Sequence, residues 1–146
     1  MRTISFLIPI LFVISILDGV LKRIALKAPF PSTSESLFDL VLHKNSGIAF
    51  NIPLPIPAVL FVTFLIIIAI LIECHQKQEP IVTLAGTMIV LGAANNAIDR
   101  VIHGYTTDYI LLFGRSVINL SDVLILTGAL VFAWYYKSIP RAVHYS

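Results

Sequence analysis

Four apolar stretches, Ile4–Ile24, Pro57–Ile72, Ile81–Ile98 and Val117–Tyr136, limit what this chain can fold into. Each approaches the roughly 20 residues that a helix needs to cross a hydrocarbon core. In lipid every backbone N–H and C=O must find its partner inside the protein, so only helices and closed barrels span. The apolar–polar alternation of a barrel strand is absent from all four, and four transmembrane helices are predicted. The bulk composition agrees, with 58 % hydrophobic and 12 % charged residues and a mean hydropathy of +0.92. At 146 residues the chain is expected to form one integral-membrane domain, 1–146.

The same composition removes several function classes. A net charge of +2, carried by scattered basic residues, does not make a nucleic-acid surface. The single cysteine, Cys74, excludes an internal disulfide and a thiolate metal cluster, and reads as a passive interfacial thiol. His43, His75, His103 and His144 show no metal-binding spacing such as His-Glu-x-x-His, so a zinc site is not expected. There is no Gly-x-Ser-x-Gly elbow and no evident Ser–Lys dyad. Arg2 followed by Ile4–Leu17 has the start of a signal peptide but no Ala-x-Ala-like cleavage site, so it reads as a retained first helix.

The connections are unequal. Helices two and three are joined by a short polar turn. Helices one and two are separated by the proline-rich segment from Lys27 to Ile56, in which Phe38–His43 alternates like a strand. Helices three and four are joined by a segment in which His103-Gly104-Tyr105 reads as a turn. With four spans the termini share one side, and the two longer connections share the other. Counting Lys and Arg does not orient the chain, because Lys22, Arg23, Lys27, Lys44, Arg100 and Arg115 fall on the side opposite the termini.

Carboxylates are scarce, and three of them sit in polar clusters at or just beyond the ends of apolar runs. The clusters are Asn95-Asn96-Ala97-Ile98-Asp99-Arg100, Thr106-Thr107-Asp108-Tyr109 and Asn119-Leu120-Ser121-Asp122. A carboxylate at the centre of a membrane helix costs about 2.5–3.5 kcal/mol on insertion scales, which makes such groups functional candidates. Asp108 and Asp122 converge on one membrane face if the third connection folds back. Two adjacent carboxylates share a proton and supply a base for water and an acid for a leaving amine. The alternative is that each merely caps a helix, since Asn119-Leu120-Ser121-Asp122 opens an apolar run. Asp99-Arg100 is either a second functional pair or an interfacial ion pair. Asp18 and Lys22, four apart on helix one, share a face and read as a structural pair. In Asn45-Ser46-Gly47, the glycine allows either an ordinary turn or close approach of backbone to a ligand.

These blocks, in this order, resemble the lipoprotein signal peptidase (signal peptidase II) family over nearly the whole length. Asp18-Gly19-Val20-Leu21-Lys22 is similar to its Asp-x-x-x-Lys. Asn45-Ser46-Gly47-Ile48-Ala49-Phe50 is similar to Asn-x-Gly-x-Ala-Phe. Gly92 to Arg100 resembles Gly-Ala-x-Gly-Asn-x-x-Asp-Arg. Gly104 to Ile110 resembles Gly-x-Val-Val-Asp-Phe-Ile in its Gly, Asp and Ile, and Asn119-Leu120-Ser121-Asp122 resembles Asn-x-Ala-Asp.

The resemblance implies an all-α membrane fold, a four-transmembrane-helix bundle with a small extracytoplasmic β-cradle between helices one and two. It implies an aspartic endopeptidase of the bacterial cytoplasmic (inner) membrane, with its active site at the extracytoplasmic face. The enzyme would cut diacylglyceryl-modified prolipoproteins just before the lipidated cysteine, without cofactor, as a monomer, and globomycin-type compounds would inhibit it. Asp108 and Asp122 take the catalytic positions. Asn45, Gly47, Asn96, Arg100, Asn119, Asp18, Lys22 and Asp99 take substrate-binding or supporting ones. Asn95, Thr106-Thr107 and Ser121 depart from the pattern, and the Ser121 hydroxyl is expected to hydrogen-bond the dyad. The competing readings are a small proton- or ion-translocating protein and an inactive lipoprotein-binding relative.

Overall fold

A computed structural model describes residues 6–27, 38–47 and 54–138. In chain order the elements are α1 (Leu7–Lys27), β1 (Phe38–Asn45), α2 (Ile56–Lys77), α3 (Pro80–His103), β2 (Thr106–Leu112), β3 (Ser116–Ile118) and α4 (Leu120–Ser138). The proline-rich part of the first connection and the Ile48-Ala49-Phe50 half of the asparagine block lie outside the described residues.

The helices start and stop for local reasons. Pro80 opens α3 at a position whose N–H has no helical partner to lose. Gly104 closes it in the left-handed conformation (φ 77°), its N–H bonding the Arg100 carbonyl at 3.0 Å. The helix therefore runs past Asp99 and Arg100, which stand on its last turns rather than at its end. Gln78, also left-handed (φ 52°), closes α2 and leaves the short turn expected before α3.

Helix α3 is the hub, packing against α1, α2 and α4. Among the described residues three helices, α2, α3 and α4, are long and apolar enough to cross a membrane. The expected fourth span, α1, has 21 residues but carries Asp18, Lys22 and Arg23 along its length and is not among them. Its buried positions, Leu11, Asp18, Lys22 and Ala25, form one stripe facing the bundle, and two of the four are charged. The outer faces stay apolar: Phe61, Phe64, Leu126, Leu130 and Trp134 are all exposed, as suits contact with lipid.

The α3–α4 contact is the tightest. A Cβ on Gly92 would stand 2.5 Å from the Ser121 carbonyl oxygen, and one on Gly128 would stand 2.8 Å from that of Ala85. Glycine at both points lets the two backbones touch, as small residues do at helix crossings in membranes.

The sheet differs from the expected cradle. It is antiparallel, in the order β1-β2-β3, and two of its three strands come from the connection between α3 and α4. Only β1, which contains the predicted Phe38–His43 strand, comes from the first connection. Register pairs Asn45 with Thr106 and His43 with Asp108, with an irregularity between Leu40 and His43. Val117 and Ile118 belong to β3, so the last helix begins at Leu120 rather than Val117. The β2–β3 turn spans Phe113 to Arg115, with Phe113 and Gly114 both at positive φ, and Arg115 N–H bonds the Leu112 carbonyl at 3.0 Å.

Candidate active site

Where the sheet meets the bundle, the interior is polar. Asp18, Lys22, Asn96, Asp99, Thr106, Thr107, Asp108, Asn119 and Ser121 are all buried there. Such a cluster is tolerable only if its members satisfy one another.

Asn119 is the joint between the two proposed catalytic carboxylates. Its side-chain amide donates to Asp108 Oδ1 at 2.6 Å. Its backbone N–H donates to Asp122 Oδ2 at 3.2 Å, and its Oδ1 accepts from Asp122 N–H at 2.9 Å. The last two bonds are a reciprocal cap at the start of α4, with Asn119 as cap and Asp122 three residues on. Capping and convergence are thus not alternatives: the cap holds Asp122 where Asn119 can also reach Asp108.

The remaining carboxylate oxygens are also occupied. Asn45 Nδ2 donates to Asp108 Oδ2 at 3.1 Å, from the strand that pairs with β2. Asn96 Nδ2 donates to Asp122 Oδ1 at 2.8 Å. Burial, and then the charge of Asp122, push the Asp108 carboxyl up to about 7, against the pull of Asn45, Asn119 and Lys22.

Behind the carboxylates lies an ionic network centred on Lys22. Its ammonium contacts Asn96 Oδ1 at 2.8 Å, Asp18 Oδ2 at 3.2 Å and Asp99 Oδ2 at 3.3 Å. Through Asn96 it supports Asp122. Through Asp99, whose Oδ2 accepts the Thr107 N–H at 2.9 Å, it holds the residue preceding Asp108. The expected Asp18–Lys22 pair is present, but as part of this larger network. Asp99 and Arg100 do not act as one pair. Asp99 faces Lys22, whereas Arg100 reaches the carbonyls of Gly47 at 3.1 Å and Asn96 at 3.3 Å. Gly47 also donates its N–H to Asn45 Oδ1 at 3.0 Å, so Arg100 and Asn45 grip the same turn.

All ten residues singled out from the sequence therefore meet at one end of the bundle. One expectation fails: the Ser121 hydroxyl turns away from the carboxylate pair and donates to Asp18 Oδ2 at 2.6 Å. Helix geometry explains it, since adjacent residues point about 100° apart and Asp122 already faces Asn96. Tyr109 was missed. It is fully buried, and its hydroxyl donates to Asp18 Oδ1 at 2.9 Å. Its position directly after Asp108, in a strand whose side chains alternate, was the available signal.

A sequence profile described as signal peptidase (SPase) II matches residues 10–137. The lipoprotein signal peptidase of Halothermothrix orenii is 30% identical over 140 residues, covering 89% of this chain and 96% of that one. That of Rhodopseudomonas palustris strain TIE-1 is 33% identical over 133 residues, covering 82% and 79%. A bacterial membrane enzyme solved in meso at 2.3 Å resolution superposes with a TM-score of 0.79 at 22% identity, covering 91% of this chain and 87% of that one. A second, at 1.9 Å, gives 0.78 at 20% identity, covering 93% and 95%. The last two speak for the fold and the first three for descent; with the profile spanning nearly every element from α1 to α4, this membrane chain belongs to the signal peptidase II family of peptidases.

Proposed function

We propose that this membrane peptidase is an aspartic endopeptidase that removes the signal peptide from diacylglyceryl-modified prolipoproteins, cutting before the lipidated cysteine. The observation that carries the aspartic mechanism is the bridging of Asp108 and Asp122 by one residue, Asn119. Around neutral pH the pair shares one proton, and this mechanism assigns it to Asp108, whose carboxyl burial pushes up to about 7. Ionised Asp122 takes a proton from water as its oxygen bonds to the scissile carbonyl carbon. Protonated Asp108 gives its proton to the carbonyl oxygen. Collapse of the tetrahedral intermediate breaks the C–N bond: the departing amine takes the proton held by Asp122, and one hydroxyl of the intermediate returns its proton to Asp108. Asn45, at the end of β1, and Arg100, which reaches the Gly47 carbonyl from α3, hold the peptide.

In this reading α1 crosses the membrane with the other three helices, and residues 1–146 act as a single domain. The site faces outward from the bacterial inner membrane, no cofactor takes part, and the enzyme works as a monomer sensitive to globomycin-type compounds. Neutralisation of Asp18 and Lys22 against each other supports the α1 span, because it removes the charge that otherwise opposes burial in lipid. The position of the carboxylates at a helix start and on a strand favours peptidase chemistry over ion translocation, which needs them along a path through the bilayer.

The test is a gel-shift assay with a lipidated prolipoprotein in detergent. Wild-type cleavage should be blocked by globomycin and reduced by about 10³-fold or more in Asp108→Asn and in Asp122→Asn. Cleavage retained in either variant overturns the dyad. A folded wild-type protein that cuts no lipidated substrate overturns the reaction.

A further inference from the structure

Asp18 has no exposed surface, and five donors converge on it. Oδ1 accepts the Tyr109 hydroxyl at 2.9 Å and the Ser121 N–H at 3.4 Å. Oδ2 accepts the Ser121 hydroxyl at 2.6 Å, the Lys22 ammonium at 3.2 Å and the Asn95 amide at 3.4 Å. The Tyr109 oxygen in turn accepts the Leu120 N–H at 3.3 Å, at the start of α4.

The positions of these donors matter more than their number. Tyr109 directly follows Asp108 on β2, and Ser121 directly precedes Asp122 on α4. One carboxylate on α1 therefore holds both neighbours of the proposed catalytic pair from behind. A strand and a helix end that meet only through side chains can slide against each other. Two short bonds to a single buried acceptor on a third element resist that sliding. Burial pushes the Tyr109 phenol well above its ordinary range, so it stays a donor at any working pH.

We propose that Tyr109 and Ser121 are positioning residues, whose hydroxyls, clamped on Asp18, set the spacing between Asp108 and Asp122. The proposal rests on the reading of those two aspartates as the catalytic pair. Catalytic groups displaced by about 1 Å lose rate out of proportion to the stability lost, so the clamp acts on turnover.

The variants are Tyr109→Phe, Ser121→Ala and the two combined, each removing one oxygen and little volume. The full chain is compared with wild type in detergent by cleavage kinetics and thermal midpoint. Infrared titration of the protonated-carboxyl band that disappears in Asp108→Asn supplies a readout independent of turnover. The titratable and charged groups around Asp108 are Asp122 on α4, Lys22 on α1, Arg100 on α3 and His43 across the sheet, and none of them is mutated in these variants.

The double variant should lose about tenfold or more in kcat, with KM changed less than about twofold. Its infrared midpoint should fall from near 7 toward the ordinary carboxylate range, as Asp122 recedes and water enters. A lower thermal midpoint with kcat and infrared midpoint unchanged overturns the clamp and leaves the hydroxyls a purely structural role. A wild type that titrates as expected but cuts no lipidated substrate overturns the enzymatic reading instead, and the infrared shift still decides the clamp.

Discussion

The Asn119 side-chain nitrogen lies 2.6 Å from Asp108 Oδ1, while the same residue caps the helix that carries Asp122. These two tasks separate by mutation. Asn119→Ser keeps a capping oxygen but is too short to reach Asp108, and Asn119→Ala loses both contacts. Both variants should lose about 10–100-fold in kcat, the worth of a hydrogen bond to a charged group. Only Asn119→Ala should also lose the roughly 1 kcal/mol of a cap. Parallel cleavage and thermal-unfolding measurements check this.

In the proposed mechanism Asp108 acts as an acid in its protonated form, so activity should fall as pH rises through about 7. Asn45 donates to Asp108 Oδ2 and so favours the charged form. Asn45→Ala should move the alkaline limb of the kcat/KM profile to higher pH. Stability follows by linkage. The native state keeps a proton that the unfolded chain releases near its ordinary value of about 4. Stability therefore declines as pH rises from about 4 to about 7. A thermal-shift series should show that this decline is smaller in Asp108→Asn.

Removing Lys22 leaves Asp18 and Asp99 buried with no cation between them. Lys22→Met should cost about 3–5 kcal/mol, the usual result of breaking one side of a buried ion pair. Asp99→Asn in the same chain should recover part of that loss, since it removes one of the stranded charges. Denaturation midpoints of the two single variants and the double variant give the coupling directly.

Gly92 and Gly128 both sit where a Cβ would strike backbone, but they differ in what they would displace. At Gly92 the obstacle is the carbonyl of Ser121, next to Asp122; at Gly128 it is the carbonyl of Ala85, two helical turns below Gly92 on α3. Gly92→Ala and Gly128→Ala should destabilise by similar amounts, about 1–3 kcal/mol. Cleavage should fall much further in Gly92→Ala. Equal residual kcat in the two would show that the Ser121 backbone position does not matter to the chemistry.

The helices were legible because apolar runs of near-spanning length leave the backbone few alternatives, and the carboxylate pair because polar residues are rare in such a chain. The sheet was only half legible. Phe38–His43 alternates visibly, but Tyr109–Leu112 is a continuous apolar run, and its partner strand lies beyond two helices in the sequence. Val117 and Ile118 were indistinguishable from the first residues of an apolar helix until the hairpin at Phe113-Gly114 turned them back. The Ser121 hydroxyl was assigned to the nearest carboxylate in sequence. Its actual partner depends on how α1 docks against the start of α4, which no local pattern encodes.

The glycine contacts between α3 and α4 also restrict traffic from the bilayer. At Gly92 and Gly128 the two backbones approach each other directly, and the Ile125 and Ile89 side chains pack over the glycines. An acyl chain is wider than that seam, and parting it would strip both backbones of their closest packing. On the proposed function, a lipid-bearing substrate would reach the carboxylates by another face of the bundle, with the α3–α4 pair as a fixed wall behind them.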